Sequence, residues 1–160
     1  MTDLNSLKIN TDNEISDLKK ARALLKSVIL SNPKSASGWI AAARVEELDG
    51  KVQEARNIIA NACQQFEDNE DIWLEAARLS PHDKTRAILA KAIQQMPKSK
   101  KLWLMAAQKE KDSDPKKGNS KKLEILRKAL EHIPTDVELW KMTISLEEPE
   151  GAKLLLYKAV

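Results

Sequence analysis

Apolar side chains in this chain recur at three- and four-residue intervals, in blocks of about 10–16 residues, and strict alternation is absent. That period predicts amphipathic helices and no sheet. Inside the blocks one short pattern returns four times: Trp39-Ile-Ala-Ala-Ala-Arg-Val-Glu-Glu, Trp73-Leu-Glu-Ala-Ala-Arg-Leu-Ser, Trp103-Leu-Met-Ala-Ala-Gln-Lys-Glu and Trp140-Lys-Met-Thr-Ile-Ser-Leu-Glu-Glu. The tryptophans stand 34, 30 and 37 residues apart. Recurrence at that interval marks one supersecondary unit copied along the chain.

Small or aliphatic residues follow each indole at the third and fourth positions: Ala42/Ala43, Ala76/Ala77, Ala106/Ala107 and Thr143/Ile144. On a helix these share the tryptophan's face, so each tryptophan-bearing helix (A) presents a shallow trough against which a neighbour can pack closely. A second amphipathic helix (B) follows each A helix, opening at Ala55-Arg56, Thr85-Arg86, Lys122-Leu123 and Ala152-Lys153. A further B copy without a tryptophan begins at Ala21-Arg22. Pro33, Pro97 and Pro134 each precede a tryptophan by six residues, where a B helix must stop. Asn69 and Ser99 are expected N-caps, and Thr135-x-x-Glu138 reads as a capping box. Gly50 is placed to close the first A helix, while Pro81 and Pro149 fit the first helical position of theirs. Helices joined so tightly run antiparallel. The fold class expected is all-α, an α-solenoid of antiparallel helix hairpins, with residues 1–16 disordered and about four and a half repeats over 17–160.

At 160 residues with a single cysteine, the chain supports no disulfide framework, and no apolar run approaches a membrane span. The chain stops inside a B helix, at Leu154-Leu-Leu-Tyr157, which reads as a truncated array whose bare apolar face, through Leu154, Leu155 and Tyr157, promotes self-association.

Catalytic chemistry is not expected, and neither is a cofactor or a metal. The four glycines make no phosphate-cradling loop, and His82 and His132, 50 residues apart, lack a second ligand one turn away. His132 falls in a last turn, where it suits the helix dipole. Cys63 lies on the apolar side of its helix and reads as a small core side chain. The tryptophans share their face with the alanine trough, so core packing is expected in place of RNA stacking. Glu46, Glu110 and Glu147 all follow their tryptophan by seven residues and are expected to pair with the cations at the second B position, Arg22, Arg56, Arg86 or Lys153. Ser80 and Leu123 break the two series.

Charge is polarised along the length. Residues 46–75 hold nine acidic groups against two basic ones, and residues 98–128 hold eleven basic groups against four acidic ones. The stretch 112–122 reads as a longer basic loop projecting from one edge. Lys98, Lys100, Lys101, Lys116, Lys117, Lys121 and Lys122 are the candidate contacts for an acidic protein surface or for RNA phosphates. No aromatic residue is interleaved with them, so base readout is not supported.

A tryptophan heading helix A, a glutamate seven residues on, an Ala-Arg start to helix B and a closing proline resemble the HAT (half-a-TPR) repeat, and the likeness covers about residues 17–160. Longer strings, Asp17-Leu-Lys-Lys-Ala-Arg, Asp71-Ile-Trp-Leu-Glu-Ala-Ala-Arg-Leu, Leu126-Arg-Lys-Ala-Leu-Glu-His-Ile-Pro and Leu146-Glu-Glu-Pro-Glu, are similar to the pre-mRNA-processing factor 6 family. The resemblance implies a HAT/TPR-like superhelix and a non-enzymatic, nuclear scaffold that bridges components of the spliceosomal tri-snRNP. Its implied partners are other spliceosomal snRNP proteins, with at most weak or indirect RNA contact. A HAT scaffold of mRNA 3′-end or ribosomal RNA processing, and a direct RNA-binding module using residues 98–128, are the alternatives.

Overall fold

In the computed structural model, residues 4–113, 116–147, 153–154 and 156–158 are described. The described residues form helices and turns with no strand. Two compact units divide the chain at residue 80. In the first, α1 (Leu4–Ser31), α2 (Ala36–Leu48), α3 (Val52–Gln65) and α4 (Glu70–Leu79) pack in sequence, each on the next. The two tryptophan helices α2 and α4 also touch. The second unit holds α5 (His82–Gln95), α6 (Lys100–Ser113), α7 (Gly118–His132) and α8 (Val137–Leu146), again packed in sequence, followed by helical residues at 153–154 and 156–158. Odd-numbered helices are the B type and even-numbered helices the A type, so the fold class is the helical-repeat one expected.

The alanine troughs are where the helices meet. Ala43, Ala77 and Ala107 are fully or almost fully buried; Ala55, Ile59 and Ala62 are buried on α3, which packs on both α2 and α4, and Ala107 shares a cluster with Leu126, Ala129 and Leu130 of α7. In the fourth copy the buried small residue is Thr143, whose hydroxyl donates to the Leu139 carbonyl at 2.7 Å. That bond lets a polar side chain sit in the core with no orphaned group. Gly38 extends the trough on α2: a Cβ there would lie 3.4 Å from Cγ1 of Val28, at ordinary contact distance from α1.

Helix ends follow local chemistry. Gly50, at φ +77°, closes α2: its N–H donates to the Glu47 carbonyl at 3.0 Å, and the Lys51 N–H to Glu46 at 2.9 Å. This pair of bonds is the Schellman arrangement. Asn69 caps α4, accepting from the Ile72 N–H at 3.1 Å. Two expectations shift by small steps. Asp136, not Thr135, caps α8, accepting from the Leu139 N–H at 2.9 Å, because the turn after Pro134 is one residue longer than a Thr135 cap requires. Pro81 is the N-cap of α5, one position earlier than expected. Pro149 lies outside the described residues.

Two larger differences concern chain length. Residues 4–16, expected to be disordered, continue α1 as helix, with Asp12 through Ser16 exposed. No apolar stripe is needed there, because adding a turn to a helix already nucleated by packing costs far less than starting one. Residues 1–3 lie outside the described set. The stretch 112–122 is not a long loop either: α6 runs to Ser113 and α7 starts at Gly118, so helix absorbs most of it. Leu154 and Tyr157 are exposed, and Leu155 lies outside the described residues.

Putting a bulky side chain into a trough should force the hairpin apart. Ala107→Leu is expected to destabilise the chain by about 1–3 kcal/mol, read as a lower denaturation midpoint. An unchanged midpoint would mean that α6 is not closely apposed to its neighbours.

Candidate functional site

With no reactive cleft suggested by the sequence, the functional feature is the surface that the repeats hold in place, and three recurring contacts hold it. The first is a clip. Each indole N–H reaches back to the carbonyl six residues earlier: Trp39 to Pro33 at 3.0 Å, Trp73 to Glu67 at 2.9 Å, Trp103 to Pro97 at 2.8 Å and Trp140 to Pro134 at 2.7 Å. That carbonyl sits in the turn between a B helix and the next A helix, so a single bond sets where the A helix starts relative to the B helix before it. Proline alone does not make the turn. Phe66, followed by Glu67, ends α3 at φ −123°, ψ 66°, and Met96, followed by Pro97, ends α5 at φ −128°, ψ 67°. Ile133 ends α7 at φ −129°, ψ 65°.

Burial of the indoles is uneven. Trp73 and Trp103 are buried as expected, whereas Trp39 and Trp140 are only half-buried. Trp103 also stacks on the His132 ring, with centroids 5.5 Å apart. That contact gives His132 a packing role that helix-dipole reasoning did not suggest.

The second recurring contact is the ion pair between a B-helix cation and the glutamate closing the next A helix. Arg22 holds Glu46, with one bond at 3.1 Å, and also Asp49 at 2.7 Å. Arg86 holds Glu110 at 2.7 Å. Where Ser80 replaces the glutamate, Arg56 donates instead to the Leu79 carbonyl at 2.7 Å. Where Leu123 replaces the cation, Arg127 one turn later takes its place and holds Glu147 at 2.6 Å. Lys153, the remaining cation of the expected set, is exposed; Arg127 stands on α7, which packs on α8, the helix that Glu147 caps.

A third network, which the sequence reading missed, sits within the first unit. Arg78 holds Glu47, at 2.7 and 3.0 Å, and also Glu75. Arg44 adds a bond to Glu75 at 3.2 Å. Glu75 is buried, which pushes its carboxyl up, but the hydrogen bonds from Arg78 and Arg44 outweigh burial and hold it below the usual carboxylate range. Its signal in the sequence was available: an acidic residue two places after Trp73, on the face that turns inward.

The candidate contact lysines do not form one patch. Lys98, Lys100 and Lys101 stand at the start of α6, and Lys116, Lys117, Lys121 and Lys122 at or beyond its end. The 14 residues of α6 separate the two sets by about 20 Å. Lys100 is occupied by Asp136, at 3.1 Å, and by Glu138. The bond to Glu138 raises its pKa above the ordinary lysine value. Lys98, Lys101, Lys116 and Lys117 are exposed, and Lys121 and Lys122 half-buried. Cys63 is half-buried rather than enclosed. Among the described residues no three metal-ligating side chains cluster, and no helix is long and apolar enough to cross a membrane.

Comparison with known proteins agrees with this construction. Residues 36–79 match the tetratricopeptide repeat model. Protein STABILIZED1 of Arabidopsis thaliana is 56% identical over 84 residues, which is 52% of this chain and 8% of that protein. Human pre-mRNA-processing factor 6 is 51% identical over 87 residues, 54% of this chain and 9% of its own length. Pre-mRNA-splicing factor prp1 of Schizosaccharomyces pombe is 49% identical over 81 residues, 51% of this chain and 9% of the relative. The matched part is thus less than a tenth of each relative. Among solved structures, the crystal structure of MamA aligns at TM-score 0.54 and 13% identity, covering 94% of this chain and 85% of that one. YrrB, described as a TPR protein with an unusual peptide-binding site, aligns at 0.51 and 14%, covering 94% of this chain and 80% of its own. At such identities these two show the fold alone.

Two measurements test the clip and the buried network. Trp103→Phe keeps an aromatic ring but removes the N–H, and is expected to cost about 1–2 kcal/mol; Trp103→Ala should cost about 3–5 kcal/mol. Equal stability of Trp103→Phe and the parent would remove the clip from the account. Glu75 titrates below its unfolded value, so its stabilising contribution is present at neutral pH and is lost as pH falls through the carboxylate range. Glu75→Gln is therefore expected to flatten the acid limb of the stability profile, and a limb of unchanged slope would contradict the assignment.

Proposed function

We propose that this chain is a non-enzymatic scaffold in pre-mRNA splicing, a block of helical repeats that holds other spliceosomal snRNP proteins, in the nucleus, while components of the tri-snRNP are bridged. The observation that carries the reading is the likeness of about half the chain, at 49% and 51% identity, to a fission-yeast pre-mRNA-splicing factor and a human pre-mRNA-processing factor. The geometry supports it in kind. Clips, ion pairs and buried alanines hold the helix hairpins in register, so their outer side chains are already placed when a partner arrives and little ordering cost is left to binding. Catalysis has no comparable support.

Affinity-tagged chain, added to nuclear extract, is expected to recover spliceosomal snRNP proteins above a tag-only control, and Trp73→Ala, which unseats a repeat, should lower that recovery. Recovery of 3′-end or ribosomal RNA processing factors in their place would move the scaffold to another assembly.

A further inference from the structure

In the second unit, α5 and α7 both pack on α6, and among the described residues they make no contact with each other. The gap between them is a groove of about 760 Å3. Its floor is the Trp103 and Ala106 face of α6, and its walls are Leu89 and Ile93 from α5 and Ile125 from α7. A smaller notch of about 460 Å3, lined by Trp140, Leu130 and Leu154, stands in the equivalent place one repeat later. The groove is therefore a product of the repeat, and not an accident of one side chain.

Its rim is basic. Arg86, Lys109 and Lys128 line the groove against Asp83 and Glu110; Glu110 is already bonded to Arg86, and Lys128 also holds Glu124 at 3.0 Å on the exposed side of α7. Lys121, Ile125 and Lys128 fall at one-turn spacings along α7, so Lys121 extends the same face toward the positive stretch at 116–122. Two helices flanking a lower third offer a seat shaped for one more helix. RNA is a poor fit: Trp103, the floor aromatic, is buried and stacked on His132, so it offers no open face to a base.

We propose that the α5–α7 groove is a docking site for an acidic amphipathic helix of a partner protein, whose large apolar side chains enter over Ala106 and whose carboxylates meet Lys109, Lys121 and Lys128. This rests on the scaffold reading and gives its partner a chemistry.

The probe is a synthetic helical peptide of about 18 residues, five turns, with leucines along one face and glutamates elsewhere. Two controls replace the glutamates by lysines or the leucines by alanines. Binding to the full chain is followed by fluorescence anisotropy. The glutamate peptide should bind, and both controls should bind at least about tenfold more weakly. Ala90→Trp, which fills the groove from an exposed position of α5, and Lys109→Glu, which reverses the rim, should each weaken the glutamate peptide by about tenfold with unchanged melting temperature. Three peptides binding alike, or an Ala90→Trp chain binding as the parent does, would overturn the proposal. So would an oligouridylate that binds the parent and is displaced by Ala90→Trp, since it would put RNA in the groove, and so would a concentration-dependent dimer abolished by the same substitution. Failure here with spliceosomal proteins still recovered from extract would sink the groove and leave the scaffold standing.

Discussion

A single hydrogen bond, from each indole N–H to the carbonyl six residues before it, controls how one hairpin hands over to the next. A helical repeat has to solve the same problem at every junction: the last carbonyls of one helix and the first amides of the next have no partners within their own helices. Here the indole takes up a turn carbonyl, while its ring covers the flank of the alanine trough. The bond persists where Glu67 stands in place of proline. Proline favours the turn by excluding helix, but the tryptophan fixes its geometry.

From that junction the other contacts follow. Once the A helix starts at a set point, its residue seven places after the tryptophan arrives beside the preceding B helix, where Arg22, Arg86 or Arg127 meets it. These pairs are partly exposed, and such pairs each contribute little to stability. Their value is in register: a bidentate fork binds a carboxylate in one orientation. The exposure is on the arginine side: the side chains of Glu46, Glu75, Glu110 and Glu147 are all largely covered. Removing their arginines would leave a carboxylate inside the fold without a partner, which is costly.

Much of this was legible in the sequence, and the failures are instructive. The helical period, the alanine troughs, the caps at Asn69 and Gly50 and the Arg–Glu register all depend on spacing along one or two helices, which the sequence carries. The proline-to-tryptophan interval of six was visible as punctuation, but its hydrogen bond was not. Arg127 was hidden because helical neighbours four apart are interchangeable in reach, so a leucine at position 123 did not mean a missing cation. Continuation of α1 through residues 4–16 could not be read from an apolar stripe that is absent there. Splitting of the lysine set was concealed by treating 112–122 as loop; helix there carries its two ends apart. The groove was beyond the sequence altogether, because it depends on how far apart α5 and α7 stand.

The relatives that share about half the chain and the contacts that keep its side chains in place lead to the same reading, a surface prepared for partners. That reading depends on the clips being present in solution at all four junctions, half-buried Trp39 and Trp140 included. Hydrogen exchange of the four indole N–H groups, followed by NMR, measures this directly. The account predicts four resolved indole signals, each exchanging more slowly than free indole; exchange at the free rate at any of the four, half-buried Trp39 or Trp140 included, would contradict it.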